Sequence, residues 1–295
     1  MIIGYFADGP WAHRALNSLL AREDIKVAFI CARSDVPDMA LEVIAQRNNI
    51  PFLIPQNVND DAFIGHLKKY GCDLFVSMSF NQIFKKVFID LPPRGVINCH
   101  AGKLPFYRGR NVLNWALIND EQEFGVTVHF VDEGIDSGDI ILQKCFEITE
   151  KDTYGSLLER AYEACSELLI EAISDIIKGN VKRQTQSSIH PFGSYCSSRG
   201  IGDEKLSWNQ SSRQVFNFVR AISLPGPLAR CYIDLCEFKI IAVEYIPEAP
   251  SYIGFPGAVL GKDVKGFLVK TGDSYVRLVA WEADIKLKVG DRFQS

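Results

Sequence analysis

The sequence predicts an α/β domain built on a doubly wound, mostly parallel sheet, followed by a smaller domain folded as a β-barrel. Three observations carry this. From Ile2 to Ser77, short and almost wholly apolar segments alternate with segments of helical period, the pattern of parallel strands covered on both faces by crossover helices. From Arg230 onward the pattern changes to short strands set apart by Gly and Asp turns, as in small barrels. A chain of 295 residues that is 47% hydrophobic exceeds one typical core and can fill two.

Ile2–Ala7 reads as the opening buried strand. Asp8-Gly9-Pro10 breaks it, and Trp11–Arg22 follows with Ala12, Ala15, Leu16, Leu19 and Leu20 on helical spacing. Ile25–Cys31, Pro51–Ile54 and Asp73–Ser77 are the next strands, with Ala40–Gln46 and Asp60–Lys69 as helices between them. The order is Rossmann-like, but D-G-P lacks the G-x-G-x-x-G fingerprint, which argues against bound NAD or FAD. A helix N-terminus at that turn is still suited to an anion. The stretch SMSFNQIFKKVFIDLPPRG reads as a loop and short helix leading to a strand that starts at Val96. Asn111–Asn119 reads as a helix, and Gly125–Val131 and Asp139–Gln143 as strands joined by an acidic loop. Asp152-Thr153 caps a long amphipathic helix that reaches Ile177.

The polar stretch Gly179–Ser188 reads as a linker, so the expected domains are 1–180 and 181–295. In the second, Ser211–Ser223 has helical spacing at Val215, Phe218, Val219 and Ile222. The strands Arg230–Ile233, Phe238–Val243, Ala258–Leu260, Gly266–Lys270 and Tyr275–Trp281 complete a five-stranded, OB-like barrel.

No apolar stretch approaches the ~18 residues that cross a bilayer, and the start MIIGYFADGP lacks the basic region and cleavage site of a signal peptide. The eight cysteines form no C-x-x-C pair and mostly sit in apolar runs, which reads as reduced, packed thiols of a cytoplasmic protein. A net charge of −4 gives no support for a polyanion-binding surface. Neither a membrane nor a nucleic acid is therefore an expected partner.

Chemistry concentrates in two places. The apolar run at Val96 and Ile97 stops at Asn98, Cys99 and His100, and a second run from Val126 to Val131 passes into the acidic loop that holds Asp136. Two strand ends, one offering Asn and His and the other Asp, can meet at one point. An imidazole poised near neutral pH can take a proton from an amine as the amine attacks a carbonyl, a gain of ~10²–10⁴-fold. A carboxylate beside it holds the tautomer and stabilises the imidazolium. The Asn amide can donate to the oxygen that becomes negative, worth about 3–4 kcal/mol in such sites. Together these describe acyl transfer to an amine without a metal or a covalent enzyme intermediate. Other readings of the same residues stay open. His100 can be a hydrogen-bonded structural residue, and Asp136 the turn residue of D-S-G. A metal cluster of His100, His129, Asp132 and Asp136 has a spacing that matches no ligand pattern.

The motifs N-C-H-A-G-K-L-P-F-Y-R-G, G-V-T-V-H and D-E-G-I-D-S-G-D-I together resemble the signature of formyltransferases that use N10-formyltetrahydrofolate. The second half resembles that family's C-terminal domain in L-S-W at 206–208, F-N-F-V-R-A-I at 216–222 and P-G-A-V-L at 256–260. The resemblance implies Asn98, His100 and Asp136 as a catalytic trio, N10-formyltetrahydrofolate as co-substrate, and no metal. It also implies a pterin pocket walled, mainly through backbone groups, by Ser79, Phe80 and Ile83 and by Asp132, Gly134 and Ile135.

Within this family, enzymes acting on methionyl-tRNA are expected to carry a Lys/Arg-rich insertion soon after the second strand, where this chain reads CARSDVPDMALEV, and usually Ser where Gly102 stands. By contrast Y-R-G-R-N-V-L-N-W-A-L-I-N, from Tyr107, is similar to the enzymes that formylate nucleotide-linked amino sugars. The implied activity is a sugar N-formyltransferase acting on a dTDP-linked 3- or 4-amino-deoxyhexose for surface polysaccharide (O-antigen) synthesis. A methionyl-tRNA formyltransferase and a non-catalytic folate- or nucleotide-binding module are the alternatives. Such a sugar nucleotide needs cationic partners and flat faces: Arg108 and Arg110 are the candidate cations, and Tyr5, Trp11 and Tyr107 the candidate faces. Lys103 is a further candidate, toward the folate glutamate tail. Trp208 and Arg220 match the C-terminal pattern and read as domain-interface packing. The C-terminal barrel offers a route to a homodimer.

Overall fold

A computed structural model describes residues 1–294. In chain order the elements are β1 (Ile2–Ala7), α1 (Gly9–Leu20), β2 (Lys26–Cys31), α2 (Met39–Arg47), β3 (Phe52–Leu53), α3 (Asp61–Leu67), β4 (Leu74–Met78), α4 (Lys86–Ile89), β5 (Val96–His100), β6 (Arg108–Gly109), α5 (Val112–Ile118), β7 (Glu123–Phe130), β8 (Ile140–Glu147), α6 (Tyr154–Lys178), β9 (Tyr195–Cys196), α7 (Ser212–Ala221), β10 (Ala229–Ile233), β11 (Cys236–Glu244), β12 (Val259–Lys262), β13 (Phe267–Lys270) and β14 (Tyr275–Ala283). The chain divides into two compact units. One is made of 1–109, 124–146 and 159–196, the other of 110–123, 147–158 and the residues from 197 onward.

The first unit holds a seven-stranded sheet in the order β3-β2-β1-β4-β5-β7-β8. Pairing is parallel from β3 through β5, and β7 runs antiparallel to β5. Ile3, Tyr5, Phe6 and Ala7 of β1 are all fully buried, because a strand in the middle of such a sheet is covered on both faces. After β1 the chain builds outward on one side to β2 and β3, then returns to place β4 and β5 on the other. That reversal opens a crevice beyond the carboxyl ends of the strands, the end at which β5 delivers His100.

The core beneath that crevice is aromatic. The Phe6 ring centroid lies 5.1–5.6 Å from those of Phe29, Phe75, Phe80, Phe84 and Phe88, all steeply inclined to it, an arrangement favoured by ring quadrupoles. Gly4 permits it, since a Cβ there would fall on the rings of Phe29 and Phe75. The following helices start on carboxylate caps. Asp38 accepts from the backbone of Ala40 and Leu41, and Asp60 from Ala62 and Phe63.

Three segments differ from expectation. Helix α1 begins at Gly9 rather than Trp11, since Pro10 fits a first helical turn. Strand β8 runs on to Glu147 through the exposed Gln143, Lys144 and Cys145, polar residues that an edge strand tolerates on its solvent side. The stretch read as a linker is structured. Gln184 exchanges both backbone hydrogen bonds with Ile140 (2.8 and 3.0 Å) and Gln186 is 3% exposed; beyond the stretch, β9 pairs in parallel with β6. It is held by backbone and amide bonds, which leave no apolar pattern to read.

In the second unit five antiparallel strands are ordered β10-β11-β14-β13-β12. Residues 291–294 join the two edges. The Val259 amide donates to the Asp291 carbonyl (2.8 Å), that of Phe293 to Gly257 (2.9 Å) and that of Gln294 to Tyr232 (2.7 Å), which closes the sheet as a barrel does. Trp208 is fully buried and stacks on Phe293 of the same unit at 5.3 Å. Helix α7 opens on a Ser211/Gln214 capping box. Arg220, 6% exposed, donates to the Thr149 carbonyl at 2.8 Å within the same unit. Among the described residues no helix is long and apolar enough to cross a membrane.

Truncating Phe6 removes the ring on which five others converge. Phe6→Ala is expected to destabilise the first unit by about 3–5 kcal/mol, measured as a lower urea midpoint; an unchanged midpoint would show that the cluster does not anchor the sheet.

Candidate active site

Strand β5 places Asn98 and His100 two residues apart and therefore on one face. Its antiparallel register with β7 sets His129 opposite Asn98 and Thr127 opposite His100, and paired residues share a face. Four polar side chains thus gather on one side of two neighbouring strands. The turn beyond His100 is built to close tightly. A Cβ on the buried Gly102 would fall on His100 Nε2 and the Tyr107 carbonyl oxygen, which are themselves hydrogen-bonded at 2.7 Å. Thr127 Oγ1 donates to the Gly102 carbonyl at 2.7 Å, and Gln143 Nε2 donates to Thr127 Oγ1 at 2.8 Å and the Leu104 carbonyl at 2.9 Å.

Asp136 arrives from the loop after β7. Within that loop Asp132 Oδ1 accepts from the Gly134 amide (3.1 Å) and Ser137 Oγ (2.7 Å), the turn chemistry expected of a loop aspartate. Asp136 instead adopts a left-handed backbone, φ 50°, and its carboxylate faces the strands. Oδ2 accepts from the Gly109 amide at 2.8 Å and lies 3.6 Å from His100 Nδ1. Oδ1 lies 3.5 Å from His129 Nε2.

The hydrogen bonds fix the ring nitrogens. A carbonyl only accepts, so His100 Nε2 carries a hydrogen toward Tyr107, and Nδ1 is the basic nitrogen facing Asp136. His129 Nδ1 likewise donates to the Phe130 carbonyl at 2.8 Å, leaving Nε2 to accept from Asn98 Nδ2 at 3.3 Å. The Asn98 amide is thereby oriented, with its second N–H free. Burial pushes the Asp136 carboxyl upward, but the charges that His100 and His129 carry in their protonated forms, together with the Gly109 amide, outweigh it and hold it well below the usual carboxylate range. The arrangement can accept a proton at His100, stabilise the resulting imidazolium through Asp136, and donate a hydrogen bond from Asn98.

Sequence-predicted Asn98, His100 and Asp136 are thus brought together. Phe80 is half-buried in the aromatic core, which Val131 also contacts from the acidic loop. Nearby Ser79 has φ 56°, and Ile83 and Ile135 are 63% and 50% exposed. Gly134 is exposed on the same loop as Asp132.

Among the proposed substrate contacts, Tyr5 proves fully buried, with its hydroxyl donating to the Ala12 carbonyl at 2.9 Å, so it presents no face to a ligand. Trp11 stands edge-on to Tyr162 at 4.5 Å. The α1 N-terminus already has an anion of its own. Asp38 Oδ2 accepts from the Gly9 amide at 2.8 Å and lies 2.7 Å from His13 Nε2. Arg108 is committed as well, with Nε and Nη2 on Gln186 Oε1 (3.0 and 2.6 Å) and Nη1 on the Tyr195 hydroxyl (3.0 Å). Tyr107 has φ 56° and serves through its carbonyl. Lys103 is half-buried, its backbone packed against Gly125. Arg110 is exposed and belongs to the second unit.

Sequence reasoning missed His129 as a partner of both Asn98 and Asp136, considering it only as a metal ligand; the alternation in G-V-T-V-H already put it on the Thr127 face. Asp132 is turned to its own loop, and among the described residues no group of three His, Cys, Asp or Glu side chains is arranged to hold a metal ion. Gln186 and the backbone groups of Tyr107 and Gly109 left no side-chain pattern to find.

Residues 9–173 match the formyl transferase family, and 202–289 match its C-terminal domain. The chain is 30% identical to a methionyl-tRNA formyltransferase of Thermodesulfovibrio yellowstonii, over 93% of this chain and 89% of that one. It is 33% identical to that of Clostridium tetani, over 81% and 76%. Among solved structures, the sugar 3N-formyl transferase WlaRD, crystallised in the presence of dTDP and 5-N-formyl-THF, shares the fold at TM-score 0.70 and 23% identity, covering 97% of this chain and 99% of that one. The N-formyltransferase of Helicobacter canadensis, in complex with folinic acid and dTDP-3-aminofucose, does so at TM-score 0.70 and 22% identity, covering 95% and 99%.

Because the folded Asp136 carboxyl titrates below its unfolded value, its contribution to stability is present above about pH 4 and is lost as the pH falls further. Asp136→Asn is expected to flatten the acid side of the stability profile in urea melts between pH 3 and 7; a profile as steep as that of the wild type would mean the carboxylate is not held by the imidazoles.

Proposed function

Since this chain belongs to the formyl transferase family, which it matches in both the N- and C-terminal domains, we propose that it moves a formyl group from N10-formyltetrahydrofolate to the amino group of a nucleotide-linked amino-deoxysugar, a dTDP-3- or 4-amino-dideoxyhexose. The observation that carries the chemistry is the Asp136 carboxylate set between His100 and His129, with the Asn98 amide aligned beside them. The acceptor nitrogen attacks the formyl carbon, and the free Asn98 N–H donates to the oxygen as it gains charge. His100 Nδ1 takes the amine proton, and Asp136 stabilises the imidazolium. When the tetrahedral adduct collapses, the C–N bond to the folate breaks, and its departing nitrogen takes the proton back from His100. The loops carrying Ser79, Phe80 and Ile83 and Asp132, Gly134 and Ile135 wall the pterin in this reading.

The sugar acceptor is supported by the run from Tyr107 to Asn119, by the two similar folds, one solved in the presence of dTDP and one in complex with dTDP-3-aminofucose, and by Gly102, where a side chain would break the His100–Tyr107 contact. The segment after β2 also offers no free cation for a phosphate, since Arg33 is paired with Asp35 and Asp8. The same reading places the reaction in cytoplasmic synthesis of surface polysaccharide. A second reading, formylation of methionyl-tRNA, is favoured by the curated relatives at 30–33% identity.

A panel of dTDP-, UDP- and GDP-linked 3-amino and 4-amino sugars, with charged initiator tRNA beside it, is assayed with formyl-folate. Turnover of a dTDP-amino sugar is expected, and its loss by ~10²–10⁴-fold in His100→Asn. Formylation of the tRNA alone would replace the acceptor, and near wild-type turnover in His100→Asn would remove the assigned base. Gly102→Ser is expected to lower kcat by up to ~10²-fold through displacement of His100; unaltered kcat would show that the Tyr107 contact does not matter.

A further inference from the structure

Gln186 lies in the polar stretch that reads as a linker, yet it is among the most buried polar residues of the chain. Its amide has no unused capacity. Nε2 donates both hydrogens, to the Asp136 carbonyl at 2.7 Å and the Gly138 carbonyl at 2.8 Å. Oε1 accepts two, from Arg108 Nε at 3.0 Å and Nη2 at 2.6 Å.

The two things it joins are both part of the site. One is the main chain of Asp136, in a left-handed conformation that a non-glycine residue holds only when its surroundings fix it. The other is Arg108, whose neighbour Gly109 donates its amide to Asp136 Oδ2. Arg108 is secured in turn by the Ser194 carbonyl, which accepts its amide at 3.0 Å, and by the Tyr195 hydroxyl. One side chain therefore ties the backbone of the carboxylate-bearing residue to the strand that supplies that carboxylate's hydrogen-bond donor.

We infer that Gln186 is a positioning residue for the reaction: by clamping Asp136 and Gly138 to Arg108, it aims the Asp136 carboxylate at His100 and His129. The inference rests on the formyl-transfer reading of the site and adds a residue to it. Gln186 touches no reacting atom. Its effect passes through where the carboxylate points, and a displacement of about 1 Å at such a group can cost ~10²-fold in rate.

Two variants test it. Gln186→Leu removes the clamp. Gln186→Glu keeps the size and the Arg108 pairing but sets a carboxylate oxygen, in place of an N–H donor, against the two carbonyls. Both are expected to lower kcat for the amino-sugar acceptor by ~10²-fold, to leave KM for acceptor and formyl-folate near wild type, and to move the imidazole 15N signals of His100 and His129. A folded Gln186→Glu protein with wild-type kcat and unmoved imidazole signals would overturn the assignment, as would failure of both variants to fold, which would make Gln186 a residue of the fold alone. If the wild type formylates none of the amines, it is the reading of the site that fails, and the imidazole signals decide the clamp by themselves.

Discussion

A carboxylate taken out of water needs compensating charge and hydrogen bonds, and meeting that need for Asp136 shapes the whole site. Its side chain is 14% exposed; the Gly109 amide donates to it, and two imidazoles stand 3.5 and 3.6 Å away, where each offsets its charge once protonated. Each partner comes from a different piece of the first unit: His100 from the end of β5, His129 from β7, and Gly109 from β6. The position of the carboxylate therefore depends on strand register. A shift of β7 by one residue would turn His129 to the opposite face of the sheet, and Asn98 would lose the acceptor that orients it.

The local backbone is shaped to the same end. Tyr107 and Asp136 both adopt positive φ without being glycine, a cost that folded proteins tolerate where the surroundings over-determine the conformation. At Tyr107 the result is a carbonyl aimed at His100. Gly102 contributes by lacking a side chain, since any Cβ would fall on that same contact. Small residues and unusual backbone torsions thus hold an ordinary imidazole in one tautomer, with its basic nitrogen toward the carboxylate. A general base gains most from this kind of preorganisation, because no reorganisation is left for the moment of proton transfer.

Much of this was legible in the residues, and what was not has a physical reason. Strands such as β1 and β4 announce themselves because burial on both faces demands continuous apolar runs, and Asn98, His100 and Asp136 stand out as polar residues where such runs stop. His129 was readable by alternation but looked like a metal ligand, because a sequence does not say which side chain its partner strand presents. Tyr5 was misread as a ligand face; only the central place of β1 in the sheet buries it. Arg108 looked like a phosphate ligand, since a charged side chain shows no sign in sequence of being spent on a glutamine 78 residues away. The interval 179–188 looked like a linker because its order rests on amide and backbone bonds.

The central claim is that His100 and Asp136 act as one proton-accepting unit, which a double-mutant cycle on formyl transfer tests most directly. Turnover is measured for His100→Asn, Asp136→Asn and the pair together. Residues that act as a unit give strongly non-additive losses, so the double variant is expected to be little slower than His100→Asn alone. Losses that multiply, as for two independent residues, would contradict the account.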